Sequence, residues 1–206
     1  IDRSSHDTVV AGNYIGLGSD GTTAQGNGGN GVSVSFGSLR TIIGRDGALH
    51  AGNVISGNDE HGILVEDAIT TGTVIAGNYV GTSADGESAR GNDTGIYLDG
   101  ASETRIGGTA ATDRNVVSGN DKGIYLDGAT NNDIQGNYVG TDKDGLEAIA
   151  NARVGVHVEN GSANNRVGGI GLGNIIAGSG GDGVLVSGAN TSGNTVSTNY
   201  IGTDAT

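Results

Sequence analysis

Apolar and polar positions recur along this chain in a regular pattern. One element is a tetrad of Asn, two apolar residues and a small residue, which begins at Asn13, Asn53, Asn78, Asn115, Asn137, Asn174 and Asn199. A second element, Gly-apolar-any-apolar, interleaves with the tetrad and begins at Gly31, Gly62, Gly95, Gly123, Gly155 and Gly183. A period of about 30 residues with short apolar strands and frequent glycine predicts a stacked solenoid.

Each repeat predicts three short strands in one rung of an all-β, right-handed parallel β-helix with six to seven rungs. In the first strand the outer two residues are apolar in every rung, so they face the interior, because side chains alternate along a strand. The middle residues then face outward: Ser33, Leu64, Tyr97, Tyr125, His157 and Leu185. The second strand centres on one apolar column, from Val10 to Val196, and the third strand is the tetrad.

The tetrad asparagines occupy the corner between the second and third strands. Gly and Asn adopt the positive φ that a tight corner requires. Stacked Asn amides can also hydrogen-bond from rung to rung, as they do in cross-β arrays. We therefore expect the seven asparagines to form a structural ladder rather than a ligand site.

Two kinds of rung alternate, so the full repeat spans two rungs, about 60 residues. One kind carries insertions at the Asn corner (44–52, 107–114 and 168–173), and the other carries a loop of constant length after the third strand (16–27, 81–92 and 140–151). Both flank an outward column that is too apolar for water. We expect the loops or a neighbouring chain to cover this column, whose tyrosines are a predicted assembly face: Tyr14, Tyr79, Tyr138 and Tyr200.

Composition narrows the class of protein. The 206 residues include 42 Gly and no Pro, Cys, Met or Trp, which suits a narrow core and excludes disulfides and thiolate metal sites. The formal net charge of −13 argues against nucleic acid and anionic membranes as partners, and no apolar run is long enough for a bilayer span. We expect one β-helix domain, residues 1–206, cut from a longer repeat protein because both ends fall inside a repeat.

Two phrases carry a family resemblance: residues 136–142 (Gly-Asn-Tyr-Val-Gly-Thr-Asp) and 115–120 (Asn-Val-Val-Ser-Gly-Asn). They resemble the right-handed parallel β-helix repeats of the pectate-lyase-like superfamily, in a Gly/Asn-rich subtype of large bacterial secreted and surface proteins. The resemblance covers essentially the whole chain and implies an extracellular or cell-surface location in a bacterium. It does not specify a function, because the same scaffold carries lyases, epimerases, adhesins and inert stalks.

Enzymes of this superfamily place their acid, base and metal-binding carboxylates on the outward face of the first strand. At that face the chain has a carboxylate row, Glu66, Asp99, Asp127 and Glu159, beside Tyr97, Tyr125, His157 and Lys122. One interpretation is a polysaccharide lyase or epimerase that acts through Asp99, Asp127, Lys122, Tyr125 and His157. A second is a glycan-binding groove of Tyr97, Tyr125, His157, Glu66 and Glu159. A third is turn chemistry, since Asp-Gly commonly follows a strand.

The enzyme interpretation lacks signatures that the superfamily would supply. The polygalacturonase set Asn-Thr-Asp, Asp-Asp, Gly-His-Gly and Arg-Ile-Lys is missing, and the Asp-Pro-His-Glu signature of alginate epimerases cannot occur without Pro. Catalytic constellations are unique within a chain, whereas nearly every feature of this sequence recurs. The pattern therefore favours a protein without catalytic activity.

No cofactor is expected, except that structural Ca²⁺ stays open. Asp142-x-Asp144-Gly145 has the spacing of a carboxylate loop, although a tight Asp-Gly turn explains it equally well. The four histidines, His6, His50, His61 and His157, share no metal-binding spacing and are expected to be surface residues.

The sequence predicts a structural or adhesive β-solenoid module, such as a stalk, an adhesin or a filament-forming segment. Its expected partners are further rungs or further copies stacked end to end, with a surface glycan as an additional candidate. The alternative is the carbohydrate-active enzyme or the glycan-binding module described above.

Overall fold

The computed structural model describes residues 1–45, 47, 51–169 and 173–205. The remaining residues of the predicted corner insertions, 46, 48–50 and 170–172, lie outside the described residues, and so does His50. The strands, in chain order, are β1 (Val9–Val10), β2 (Tyr14–Ile15), β3 (Val32–Val34), β4 (Ile42–Gly44), β5 (Val54–Ile55), β6 (His61–Glu66), β7 (Val74–Ala76), β8 (Tyr79–Val80), β9 (Thr94–Asp99), β10 (Arg105–Gly107), β11 (Val116–Val117), β12 (Lys122–Asp127), β13 (Asp133–Gln135), β14 (Tyr138–Val139), β15 (Val154–Glu159), β16 (Arg166–Gly168), β17 (Ile175–Ile176), β18 (Val184–Val186), β19 (Thr195–Ser197) and β20 (Tyr200–Ile201). A 3₁₀ turn spans Ala111–Asp113.

The strands form three parallel sheets, which confirms the predicted right-handed parallel β-helix with three strands per rung. Sheet A contains the six first strands, in the order β3-β6-β9-β12-β15-β18. Sheet B contains the seven second strands, β1-β4-β7-β10-β13-β16-β19, and sheet C the seven third strands, β2-β5-β8-β11-β14-β17-β20. At about 4.8 Å per rung the stack is about 30 Å long.

One apolar column from each sheet fills the interior. In register, Ile63 pairs with Ile96 in sheet A and Ile75 pairs with Ile106 in sheet B, so like side chains stack on like. All four are fully buried. Each such residue contributes about 1.5–3 kcal/mol of apolar burial, which lets a chain with few aromatic residues hold a narrow core.

The seven tetrad asparagines form an unbroken chain of amide hydrogen bonds at the B–C corner. In each step the Nδ2 and the backbone N of one asparagine donate to the Oδ1 of the next, as from Asn53 to Asn78 at 3.0 Å and from Asn78 to Asn115. The Nδ2 also donates to a carbonyl of the preceding rung, such as Ile43 O at 2.9 Å. These bonds satisfy corner groups that have no partner in a sheet.

Two further polar ladders run through the same stack. At the corner before sheet A, amide bonds link Asn27, Asn58, Asn92, Asn120 and Asn151. At the corner before sheet B, Asn132, Asn165 and Asn194 form a ladder of the same kind. The equivalent positions in earlier rungs are Thr41, Thr73 and Thr104, whose buried hydroxyls have no hydrogen-bond partner.

The loops of constant length after sheet C are short hairpins that pack on the tyrosine of their own rung. Antiparallel bridges join Leu17 to Ala24, Thr82 to Ala89 and Thr141 to Ala148. Successive hairpins also bond to one another: Ala84 N donates to Gly21 O at 2.9 Å, Lys143 N to Gly86 O at 3.2 Å and Ala205 N to Gly145 O at 3.0 Å. The hairpins thus form their own stack with a period of two rungs.

Candidate functional site

The outer face of sheet A carries a stack of aromatic rings. Tyr97 and Tyr125 lie face to face, with ring centroids 4.8 Å apart and planes 13° apart. The imidazole of His157 continues the stack at 5.3 Å from Tyr125, and His61 contacts Tyr97 edge-on at 4.9 Å. The parallel register of β9, β12 and β15 places these side chains directly above one another. The ring faces are therefore largely occupied by neighbouring rings.

The predicted carboxylate row lies beside the rings, since Glu66, Asp99, Asp127 and Glu159 are paired in register. The Tyr125 hydroxyl donates to Asp127 Oδ2 at 3.1 Å and also to Glu159 Oε1. A further donor, Asn160 Nδ2, lies 3.2 Å from Asp127 Oδ2. Two of the four carboxylates, both partly exposed, are therefore linked through one buried phenol.

Burial and neighbouring charge keep the phenols protonated. Burial, reinforced by the charges of Asp99 and Asp127, raises the pKa of Tyr97 to about 12. Burial and the hydrogen bond to Glu159 raise the pKa of Tyr125 well above its ordinary value. The same hydrogen bond lowers the pKa of Glu159, so the proton of this pair stays on the phenol. At neutral pH neither tyrosine supplies a phenolate base.

The remaining predicted site residues surround a recess of about 410 Å³ at one end of the stack. His157 Nε2 lies 3.0 Å from Ser187 Oγ and 3.4 Å from Glu159 Oε2, and burial lowers the pKa of His157 below its ordinary value despite this carboxylate. Lys122 Nζ lies 4.2 Å from the centre of the Tyr125 ring. Burial likewise raises the pKa of Asp99, helped by the charge of Asp127.

The structure thus brings together Tyr97, Tyr125, His157, Lys122 and the carboxylate row on one face. Sequence reasoning left His61 and Asn160 out of this face. His61 aligns with Lys122 at the start of the first strand, so an alignment carried one residue before each glycine would have found it. The contact from Asn160 depends on the turn after β15, which no column of the repeat describes.

The predicted calcium ligands Asp142 and Asp144 have other partners. Asp142 Oδ1 accepts hydrogen bonds from Leu146 N at 2.8 Å and Glu147 N at 3.2 Å, which close the hairpin turn. Asp144 Oδ2 lies 2.8 Å from Lys143 Nζ. Among the described residues, no group of three or more His, Asp or Glu side chains is arranged to hold a metal ion. The turn interpretation therefore accounts for Asp142, and Asp144 forms an ion pair with Lys143.

The tyrosines of the predicted assembly face differ in exposure. Tyr138 is 8% exposed and packs with Val116 and Ile175, with the Arg114 guanidinium 4.0 Å above its ring. Tyr79 is half-buried in the same cluster, whereas Tyr14 is 50% and Tyr200 60% exposed. Tyr138 is therefore covered, Tyr79 retains part of its surface, and the two outer tyrosines have the most surface left for a partner.

Comparison with known proteins identifies one family and two similar structures. The family described as periplasmic copper-binding protein (NosD) matches residues 19–139. The A-module of the Azotobacter vinelandii mannuronan C-5 epimerase AlgE4 is 18% identical with a TM-score of 0.47, over 98% of this chain and 57% of that one. The AlgE6 A-module of the same organism is 15% identical with a TM-score of 0.44, over 94% of this chain and 57% of that one. No curated protein matches the sequence.

This chain therefore spans somewhat more than half the length of each similar structure. Within the described residues, the structure contains no helix with the length and hydropathy needed to cross a bilayer.

Proposed function

Because this chain belongs to the family described as periplasmic copper-binding protein (NosD), we propose that it is a stiff β-helix module that acts outside the cytoplasm as a stalk or adhesive scaffold. The observation that carries this proposal is the unbroken amide ladder from Asn13 to Asn199, which joins every rung to the next. Such a repeated, fully bonded corner supports stiffness along the axis.

The state of the sheet A face supports a role without catalysis. The ring faces of Tyr97 and Tyr125 contact each other instead of being free to stack on a sugar ring. The Tyr125 hydroxyl is committed to Asp127 and Glu159, and its raised pKa keeps it protonated. A proton-abstracting base would need to be deprotonated near neutral pH and free to reach the substrate, and neither tyrosine meets this condition.

Copper does not fit the described residues of this chain, although the family's name includes it. The chain contains neither Cys nor Met, the soft ligands that favour Cu(I). His61 and His157 lie on the same face but are separated by the rings of Tyr97 and Tyr125. No His, Asp and Glu group of three or more is suitably placed among the described residues. The proposed function therefore includes no step at a copper ion.

Small-angle X-ray scattering across a concentration series, combined with a turnover assay on uronate polymers, tests the proposal. We expect a rod of constant cross-section at every concentration, lengthening if copies stack end to end, and no turnover. The contrary result is turnover that Asp127→Asn removes while the circular dichroism spectrum is unchanged. Asp133→Asn, at an exposed position on sheet B, is the matched control for loss of one carboxylate.

A further inference from the structure

A recess on the outside of sheet C, far from the carboxylate row of sheet A, collects positive charge. It has a volume of about 370 Å³ and is bordered by Arg45, Arg114 and Lys143. We call it the arginine recess and define it by Arg45, Arg114, Tyr79, Val54 and Val116. The chain has only 10 Lys and Arg against 23 Asp and Glu, so two arginines beside one recess need an explanation.

Most cations of this chain have a carboxylate partner. Ion pairs join Arg40 to Asp7, Arg105 to Asp113, Arg153 to Asp121, Arg166 to Asp133, and Lys143 to Glu87 and Asp144. The ion pairs formed among the described residues do not include Arg45 or Arg114. Two guanidinium groups beside the same recess raise each other's electrostatic energy, and an anion between them would remove that cost.

The contacts of the two arginines leave donors for a ligand. Arg114 Cζ lies 4.0 Å from the centre of the Tyr138 ring, and its Nε donates to Gly136 O at 3.3 Å, so the terminal nitrogens are not consumed by that bond. The side chain of Arg45 crosses the open face of Gly77, where an added Cβ would lie 3.0 Å from Thr112 O and 3.4 Å from Arg45 Nε. A guanidinium offers five N–H donors in a planar fork that matches a carboxylate or a phosphate.

Besides the cations, the lining of the recess is mixed: Asn53 and Thr112 are polar, and Val54, Val116 and Tyr79 supply an apolar part. Its floor contains Val54 and Val116, which are almost fully buried, and one wall is the half-buried ring of Tyr79. The volume lies near the lower end of the range for small-molecule sites, about 300–1,000 Å³. An apolar floor under a cationic rim suits a body with one charged group and one apolar face.

We propose that the arginine recess binds an oxyanion, a carboxylate or a phosphate, carried on a body about the size of a sugar ring. Arg45 and Arg114 hold the charged group, while Tyr79 and the valine floor contact the ring. Lys143 borders the recess with its charge already compensated, so it contributes shape more than charge. This site would give a scaffold module a ligand contact that is independent of sheet A.

Isothermal titration calorimetry of the full chain tests the site with four separate probes: inorganic phosphate, sulfate, glucuronate and uncharged glucose. We expect at least one anion to bind saturably, and glucose not to bind. Binding by glucuronate alone identifies a carboxylate ligand, and binding by phosphate or sulfate alone identifies a tetrahedral oxyanion. Absence of saturable binding by all three anions would overturn the proposal.

Variants assign any binding to the recess. Arg45→Gln and Arg114→Gln are each expected to lower the affinity for the anion by about tenfold or more, because each removes charge-assisted hydrogen bonds. Arg45→Lys keeps the charge but not the fork and should give an intermediate affinity. Arg40→Gln, an exposed arginine paired with Asp7, is the matched control and should bind like the parent chain.

Thermal unfolding of each variant separates loss of binding from loss of fold. If Arg114→Gln lowers the melting temperature because its contact with Tyr138 is lost, Arg45→Gln still decides the question, because Arg45 makes no such ring contact among the described residues. An affinity that is the same in Arg45→Gln, Arg40→Gln and the parent chain would place the anion elsewhere and contradict the inference.

Discussion

Asn78 shows what one ladder amide contributes. Its Oδ1 accepts two hydrogen bonds from Asn53, and its Nδ2 donates to Ile43 O at 2.9 Å and to Asn115 Oδ1 at 3.0 Å. We predict that Asn78→Ala lowers the free energy of unfolding by about 2–4 kcal/mol, because it leaves several fully buried groups without partners. Denaturant titration measures this loss, with Asn13→Ala at the exposed end of the ladder as a control that should cost about 1 kcal/mol or less.

Thr104 offers the opposite test, since its buried hydroxyl has no partner and the next rung begins an asparagine ladder at Asn132. We predict that Thr104→Asn stabilises the fold by about 1 kcal/mol. The new Nδ2 would donate to Asn132 Oδ1, and the new Oδ1 would accept from Thr73 N. Thr104→Val, which only removes the unpaired hydroxyl, should change stability little. Equal effects of the two variants in denaturant titration would show that the ladder does not extend.

Asp99 makes the stability of the fold depend on pH. Burial and the charge of Asp127 raise its pKa above 3.8, so the folded state favours the protonated acid. The contribution of Asp99 to stability is complete at a pH below its pKa in the unfolded state. This contribution is lost as the pH rises through its pKa in the folded state. We predict that Asp99→Asn raises the melting temperature at pH 7 but not at pH 3. A lower melting temperature at pH 7 would show instead that the ionised carboxylate stabilises the fold.

At the scale of the element, the hairpins shield the apolar outward column of sheet C from solvent. The Asp-Gly turn of the third hairpin lies on the Tyr138 ring, so closely that a Cβ on Gly145 would meet ring atoms at 2.9 Å. The covering element is therefore part of the same rung. A glycine is required there both by the close approach and by its φ of +76°.

Tyr138 and Tyr200 form a matched pair that distinguishes structure from assembly. We predict that Tyr138→Ala lowers the free energy of unfolding by about 3 kcal/mol, because the ring is buried under a hairpin. Tyr200→Ala, at a ring that is 60% exposed, should cost less than about 1 kcal/mol. Denaturant titration gives both values, and sedimentation velocity shows whether Tyr200→Ala alters self-association. A similar cost for both would mean that the hairpin contributes nothing to the burial of Tyr138.

The strand columns were predictable from sequence because alternation with a period of two assigns each side chain to one face. The ladder from Asn27 to Asn151 was not recognised, because its asparagines lie either four or three residues before the glycine that aligns the rungs, as at Asn58 and Asn92. The mutual stacking of Tyr97 and Tyr125 was also missed. The repeat gives the column, but side-chain torsions decide whether the rings face each other or the solvent.

At the scale of the whole molecule, each interior rung is stabilised by two neighbours and each outer rung by one. In β18, β19 and β20 the inward positions Val186, Val196 and Ile201 are between 41% and 49% exposed, whereas their counterparts in the central rungs are fully buried. Stability in a solenoid is approximately a sum of nearest-neighbour terms. The stack therefore loosens from its ends.

Hydrogen exchange measures this gradient. We predict the slowest amide exchange in β9 and β12, and progressively faster exchange towards β18 and β20. Mass spectrometry of peptides after timed labelling reports each rung separately. Protection that is uniform along the chain would show that the stack opens in a single cooperative step.

The stack of hairpins constrains how a chain of this kind can change length. Each hairpin bonds to the hairpin two rungs away, as Ala84 does to Gly21. Deletion of one rung would therefore place two rungs of the same kind beside each other, put the loops out of step and break the hydrogen bonds between hairpins. The apolar columns of the core would still match. Recombination between repeats keeps both the core columns and the hairpin stack aligned only when it adds or removes two rungs at once. Natural and engineered length variants of this solenoid should accordingly differ by even numbers of rungs.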